Sequence, residues 1–161
     1  MKNRYLIILI IIFTTISLSF KSNTTELDWT IIPIENSKEL FEQCSRGAPK
    51  KRAIIELDSS KFISAINKIL YKKDTIKKHL GKSLSNYKYQ LCGYKYKKKE
   101  FIYINCISSR ITKDNDFDWR KKPIIICDGN SVSWGIVYCI KTDELIDFQT
   151  NGPIWNYIEK I

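Results

Sequence analysis

The sequence predicts an α+β domain, two N-terminal helices packed on an antiparallel β-meander of about five strands. Three observations carry this. Apolar residues recur at helical spacing up to Gly81, they alternate with period two from Tyr87 onward, and the connections between the alternating runs are as short as hairpin turns. With 161 residues, 43% of them hydrophobic and 27% charged, the chain is long enough to bury one core.

The N-terminus reads as an export signal. Lys2 and Arg4 precede the apolar run 5–13, and the small, polar stretch from Thr14 to Ser19 follows, the order of a secretory signal peptide. Ser17 and Ser19 supply small residues for cleavage, which places the cut after Ser19. The run is shorter than the roughly 20 apolar residues of a spanning helix. The expected location is therefore the periplasm or the exterior, with no transmembrane segment left after processing; an uncleaved N-terminal membrane anchor reaching Phe20 is the alternative. Residues 20–36 read as an extended leader holding Trp29 and the run from Ile31 to Ile34, laid against the core. Residues 37–161 read as the single α+β domain.

Within that domain, Asn36 followed three residues later by Glu39 has the spacing of a capping box. It predicts a helix from Ser37 to about Arg46, with Leu40, Phe41 and Cys44 on one face and Gly47 and Pro49 ending it. Ala53 to Leu57 is a short apolar segment, either a strand or a buried connection. A long amphipathic helix follows, capped by Asp58 or Ser59 and running to Gly81. Phe62, Ile66, Ile69, Leu70, Ile76 and Leu80 form its apolar stripe, and lysines form its outer face. Strands are expected at Tyr87 to Tyr96, Glu100 to Ile107, Pro123 to Cys127, Val132 to Ile140 and Leu145 to Thr150. Turns fall at Lys97 to Lys99, Asp128 to Asn130 and Lys141 to Glu144, and a polar connection runs from Ser108 to Lys122.

Charge and cysteine usage narrow the function classes. Lys and Arg number 27 against 17 Asp and Glu; removing Lys2 and Arg4 leaves 25 basic residues and a net +8. The basic surface is lysine, 22 against five arginines, in clusters at Lys50 to Arg52, along the second helix, at Lys95 and Lys97 to Lys99, and at Arg120 to Lys122. Such a surface suits an anionic partner or simple solubility. Export removes the chain from nucleic acid, which is not an expected partner. Five cysteines in an exported chain point to disulfide chemistry, and an odd number leaves at least one thiol outside any intramolecular bond.

Chemistry-bearing motifs are few. Cys127-Asp128-Gly129 places a thiol on a turn, but a nucleophilic thiolate needs a base or cationic setting, and the sole histidine, His79, lies on the lysine-rich helix. Asp128 and Gly129 read as turn residues. Asp114, Asp116 and Asp118 alternate like the opening of a calcium loop, but the sixth position is Trp119 and the twelfth Ile125, so a solvated acidic loop is the preferred reading. No residue is assigned a catalytic role, and no metal or cofactor is expected.

The elements Phe41-x-x-Cys44-Ser45-Arg46, Tyr87-x-x-Gln90-x-x-Gly93, Phe101-Ile-Tyr-Ile-Asn105, Cys127-Asp128-Gly129, Trp134-Gly135 and Phe148-Gln-Thr-Asn151-Gly152 resemble a group of small exported bacterial proteins of unknown function. That group carries CSR, CDGG, FWG and FNG elements. The resemblance spans about residues 37–152 and is silent on activity. Here Asn130 stands at the second glycine of the CDGG turn, and Cys92, Cys106 and Cys139 are peculiar to this chain. The resemblance implies a disulfide between Cys44 and Cys127, which occupy its recurring elements. The alternative is Cys106 with Cys139, for which buried free thiols are the competing reading.

The leading expectation for function is a non-catalytic binding module of the inhibitor or immunity type, meeting an envelope protein. Its contacts are expected at Lys95, Lys97, Lys98 and Lys99 and at Asp114, Asp116, Asp118 and Trp119, because loops on a rigid scaffold carry recognition. The alternatives are a lysine-mediated binder of an anionic envelope polymer, and an envelope-polymer hydrolase using Asp128 or Glu100.

Overall fold

A computed structural model describes residues 27–42, 52–113, 118–127, 130–151 and 158–160. The export segment, Cys44, Asp114, Asp116, Asp128 and Gly129 lie outside these residues. The elements are β1 (Asp28–Ile31), α1 (Ile34–Ser37), α2 (Glu39–Glu42), β2 (Ala53–Ile54), α3 (Ser59–Tyr71), α4 (Lys73–Leu80), a 3₁₀ turn (Leu84–Asn86), β3 (Tyr87–Tyr96), β4 (Lys99–Ser108), α5 (Ser109–Lys113), β5 (Asn130–Cys139), β6 (Glu144–Asn151) and β7 (Ile158–Lys160). The fold is α+β, a mostly antiparallel open sheet with helices.

The sheet runs β1-β3-β4-β5-β6-β7. The central strands β3 to β6 form a meander in which β3, β4 and β5 are buried on both faces, while β6 buries only Leu145 and Phe148 fully. β1 departs from expectation: the segment read as leader pairs in parallel with the first half of β3, Asp28 opposite Lys88. β2 pairs antiparallel with Lys95 and Tyr94 on the same edge, so the two short strands lie end to end along one long one. Gly93 sits between them. A Cβ there would lie 2.8 Å from the Ile55 carbonyl oxygen and 2.7 Å from Leu57, so the close approach of the β2 segment requires glycine.

Alternation divides the core in two. Tyr89, Leu91, Ile102, Ile104, Trp134 and Ile136 point to the face covered by α3 and α4 through Phe62, Ala65, Ile66, Ile69, Ile76 and Leu80. Cys92, Tyr94, Phe101, Tyr103, Val137 and Cys139 point to the opposite face, where Leu40 and Phe41 of α2 pack. The first helical region therefore covers the face opposite the second, so that helices lie on both faces of the sheet.

Local signals held where the chain interacts with its own neighbours. Asp58 caps α3, its carboxylate accepting from the Ser60 N–H at 2.8 Å, and Gly81 ends α4 in the left-handed region at φ 65°. The single long helix is in fact two, broken at Lys72 (φ −93°, ψ 12°), where no apolar residue between Tyr71 and Ile76 anchors the turn. The capping box does not form. Pro33 stands at the α1 N-cap, and the Asn36 amide donates instead to the Lys121 carbonyl at 3.0 Å.

Pro123 to Cys127 does not form the expected strand. Side chains hold it in place of a backbone ladder. Gln90 Nε2 donates to the Trp119 and Lys122 carbonyls at 2.6 and 2.7 Å, and Gln90 Oε1 accepts from the Ile124 N–H at 2.9 Å and from Asn105 Nδ2 at 3.0 Å. Asn105 Nδ2 also donates to the Ile124 carbonyl at 2.8 Å. Gln90 and Asn105 are opposite one another in the β3–β4 register and both are buried. The row continues to Gly135 of β5, where a Cβ would lie 2.7 Å from the Tyr103 hydroxyl. Buried amides thus do the work that a strand was expected to do.

Candidate functional site

Antiparallel pairing of β4 with β5, Phe101 opposite Cys139, brings the β3–β4 and β5–β6 turns to one end of the sheet. The Ile140 N–H joins them by donating to the Glu100 carbonyl at 3.3 Å. Between the turns lies an open cleft of about 400 Å³, lined by Lys97, Lys98, Lys99, Glu100, Ile140 and Lys141.

The tip is built in an unusual way. Lys97 (φ 45°) and Lys98 (φ 64°) both occupy the left-handed region, the requirement of a two-residue hairpin turn that Asn-Gly meets without strain. Side chains other than Gly, Asn and Asp pay for that conformation. Lys95, Lys97, Lys98 and Lys99 are exposed, and among the described residues none of them, nor Lys141, has a carboxylate within 4 Å.

Helix α3 borders the same end. Lys61 Nζ pairs with Glu100 at 2.8 Å, and Lys68 Nζ with Asp143 at 2.7 Å. Asp143 also accepts from the Tyr138 hydroxyl at 2.8 Å. The Lys68 and Tyr138 hydrogen bonds hold the Asp143 carboxyl below its usual range, while burial, reinforced by the Asp143 bond, pushes the Tyr138 phenol up to about 12. The Lys61 hydrogen bond and charge likewise lower Glu100. That is the wrong direction for a general acid, which needs a raised carboxyl pKa.

Of the second expected contact region, Asp118 and Trp119 are described. Trp119 is only 6% exposed. Its ring lies between Arg120, whose guanidinium carbon is 4.4 Å from the centroid, and Lys88, whose Nζ is 5.5 Å away. Asp28 pairs with both cations. Asp118 is exposed, pairs with Lys121 at 3.5 Å and accepts from the Arg120 N–H. Among the described residues no group of three or more His, Cys, Asp or Glu is placed to hold a metal ion, and no helix is long and apolar enough to cross a membrane.

Of the described cysteines, Cys92, Cys106 and Cys139 are buried thiols outside any disulfide, and Cys127 is disulfide-bonded. The alternative bond from Cys106 to Cys139 is excluded by register and face. Cys106 is opposite Trp134 and belongs to the α3–α4 face; Cys139, five positions further along β5, belongs to the other.

Sequence reasoning located the tip lysines. It missed Lys141, Tyr71 and Asp143, whose relevance depends on which turns share an end of the sheet. No family model matches the chain, and no curated protein or solved structure matches it either.

Proposed function

We propose that this chain is an exported, non-catalytic binding module that engages an anionic partner of the bacterial envelope through the lysine-bearing end of its sheet. The observation that carries the reading is the β3–β4 tip. Two lysines are kept in a backbone conformation costing about 1 kcal/mol or more each, at a turn that Asn-Gly would close without that cost, and they open onto a cleft with two further lysines.

Lysine supplies compact, strongly hydrated point charges and lacks arginine's bidentate fork. A surface built from it suits a partner whose negative charge is spread over many groups, and binding of that kind weakens as salt rises. The two-residue turn of the same tip, which closes the hairpin directly between Tyr96 and Lys99, favours a second form of the reading, an inhibitor or immunity protein seated on one envelope enzyme.

The test is retention of envelope and culture-supernatant components by the immobilised, oxidised mature chain, residues 20–161, at moderate and high salt. An anionic component released as salt rises is the expected result. A stoichiometric protein retained at high salt would favour the inhibitor form, and no retention at either salt would overturn the proposal.

A further inference from the structure

The geometry points to an acidic glycan as the ligand of this end, with Tyr71 as the platform for a sugar ring and the tip lysines as partners for its acid groups; this rests on the binding-module reading above. Tyr71, the last residue of α3, is 79% exposed, the most open large apolar side chain among the described residues. A ring left in water forgoes the burial that normally places tyrosine, and this one stands at a fixed point. Lys68 Nζ lies 5.7 Å and Lys72 Nζ 5.9 Å from its centroid, and Lys68 is itself held by Asp143 of the β5–β6 turn.

The helix lies along the end of the sheet. Lys61 and Lys68, seven residues apart, rise about 10 Å along α3, which matches two strand spacings of about 4.8 Å. Their partners, Glu100 at the start of β4 and Asp143 just before β6, are two strands apart. Tyr71, three residues past Lys68, is therefore set beyond the β5–β6 turn that carries Asp143 and Lys141, on the side away from the β3–β4 tip. Lys141 shares a cleft with the tip lysines, so an extended polymer laid from Tyr71 across that turn would meet an aromatic ring first and ammonium groups after it.

That combination fits a polymer whose repeating unit has both an apolar ring face and an acid. A protein partner fits less well, because lysine is depleted from the buried centres of protein interfaces.

The experiment is calorimetric titration of the oxidised mature chain with polygalacturonate. Polyglutamate and polyphosphate serve as sugar-free polyanions, and oligo-dT as a nucleic acid. Polygalacturonate is expected to bind about tenfold tighter than polyglutamate. Tyr71→Ala should abolish that margin without changing polyglutamate binding, Tyr71→Phe should keep it, and Lys97→Glu should weaken every polyanion. Circular dichroism of Tyr71→Ala should be unchanged, since the side chain is exposed. Equal affinities, or a margin indifferent to Tyr71→Ala, would overturn the glycan assignment alone. Tighter, Tyr71-dependent binding of oligo-dT would replace it with a nucleic acid, and binding of no polyanion would overturn the binding-module reading as well.

Discussion

Gln90 makes three hydrogen bonds to the segment from Trp119 to Ile124 and accepts a fourth from Asn105, and its side chain is fully buried. A leucine there would keep the volume and strand the partners: the Trp119 and Lys122 carbonyls, the Ile124 N–H and one bond of the Asn105 amide. Leaving buried polar groups unpaired costs more than the bonds themselves contribute. Gln90→Leu is expected to destabilise the fold by about 3 kcal/mol, read as a fall in the denaturant midpoint at unchanged slope. A loss below about 1 kcal/mol would mean that water satisfies those groups in the variant. The same arithmetic explains why these positions were hard to read. Gln90 and Asn105 stand out in the sequence as polar residues inside strand patterns, a sign of a buried partner, but nothing in the pattern says that the partner is a connecting loop.

At the scale of elements, the β3–β4 hairpin trades stability for charge. Replacing Lys97-Lys98 by Asn-Gly should relieve the left-handed strain and stabilise the protein by about 1–2 kcal/mol, while removing two ammonium groups from the cleft. The double variant is therefore expected to melt a few degrees higher, about 2–4 °C per kcal/mol for a chain of this size, and to bind polyanions more weakly. A higher melting temperature with undiminished binding would separate the strain from the function.

Docking of α3 on the β5–β6 turn has a pH signature of its own. Asp143 has a folded pKa below its ordinary 3.8. Its contribution is complete above that value and is lost as pH falls through the lower folded one. Tyr138, raised from 10 to about 12 by burial and by Asp143, contributes fully below pH 10 and is lost as pH climbs through about 12. Asp143→Asn should flatten the acid limb of a stability profile, and Tyr138→Phe should weaken the alkaline one; profiles identical to the parent would show that the turn does not hold the helix.

The elements read correctly from sequence, β3 to β6 and both caps of the second helical region, are strands of eight to ten residues, long enough to show their period, and caps set by local chemistry. The parallel strand β1 was not legible, because its partner in β3 is some 60 residues away and a four-residue strand carries too little periodicity to announce itself. The burial of Trp119 was not legible for a related reason: a tryptophan in a polar connection looks exposed until its neighbours Lys88 and Arg120 are known.

At the scale of the whole molecule, helices cover both faces of one sheet, and α2, only four residues long, is too short to hold itself. Leu40 and Phe41 pack on the face opposite α3 and α4, while Cys127 ends the segment that Gln90 and Asn105 pin down on that same side. A bond from Cys127 to Cys44, the pairing the motif resemblance implies, would tie the chain just beyond α2 to that segment. By loop-closure entropy a bridge across so long a loop is worth about 4 kcal/mol when unstrained. The other three thiols are buried, and burial raises the Cys92 thiol far above its usual range, so they should be inert in the native state. Thiol counting on the oxidised protein is then expected to give none rapidly reactive when native, three after unfolding without reductant, and five with it. Non-reducing peptide mapping should join the Cys44 and Cys127 peptides, and Cys127→Ser should lower stability by about the same 4 kcal/mol. Five thiols without reductant, or a map joining Cys127 to any cysteine but Cys44, would sink the pairing; a Cys127→Ser variant as stable as the parent would leave the pairing assignment standing but show that the bond does not hold α2 to the sheet.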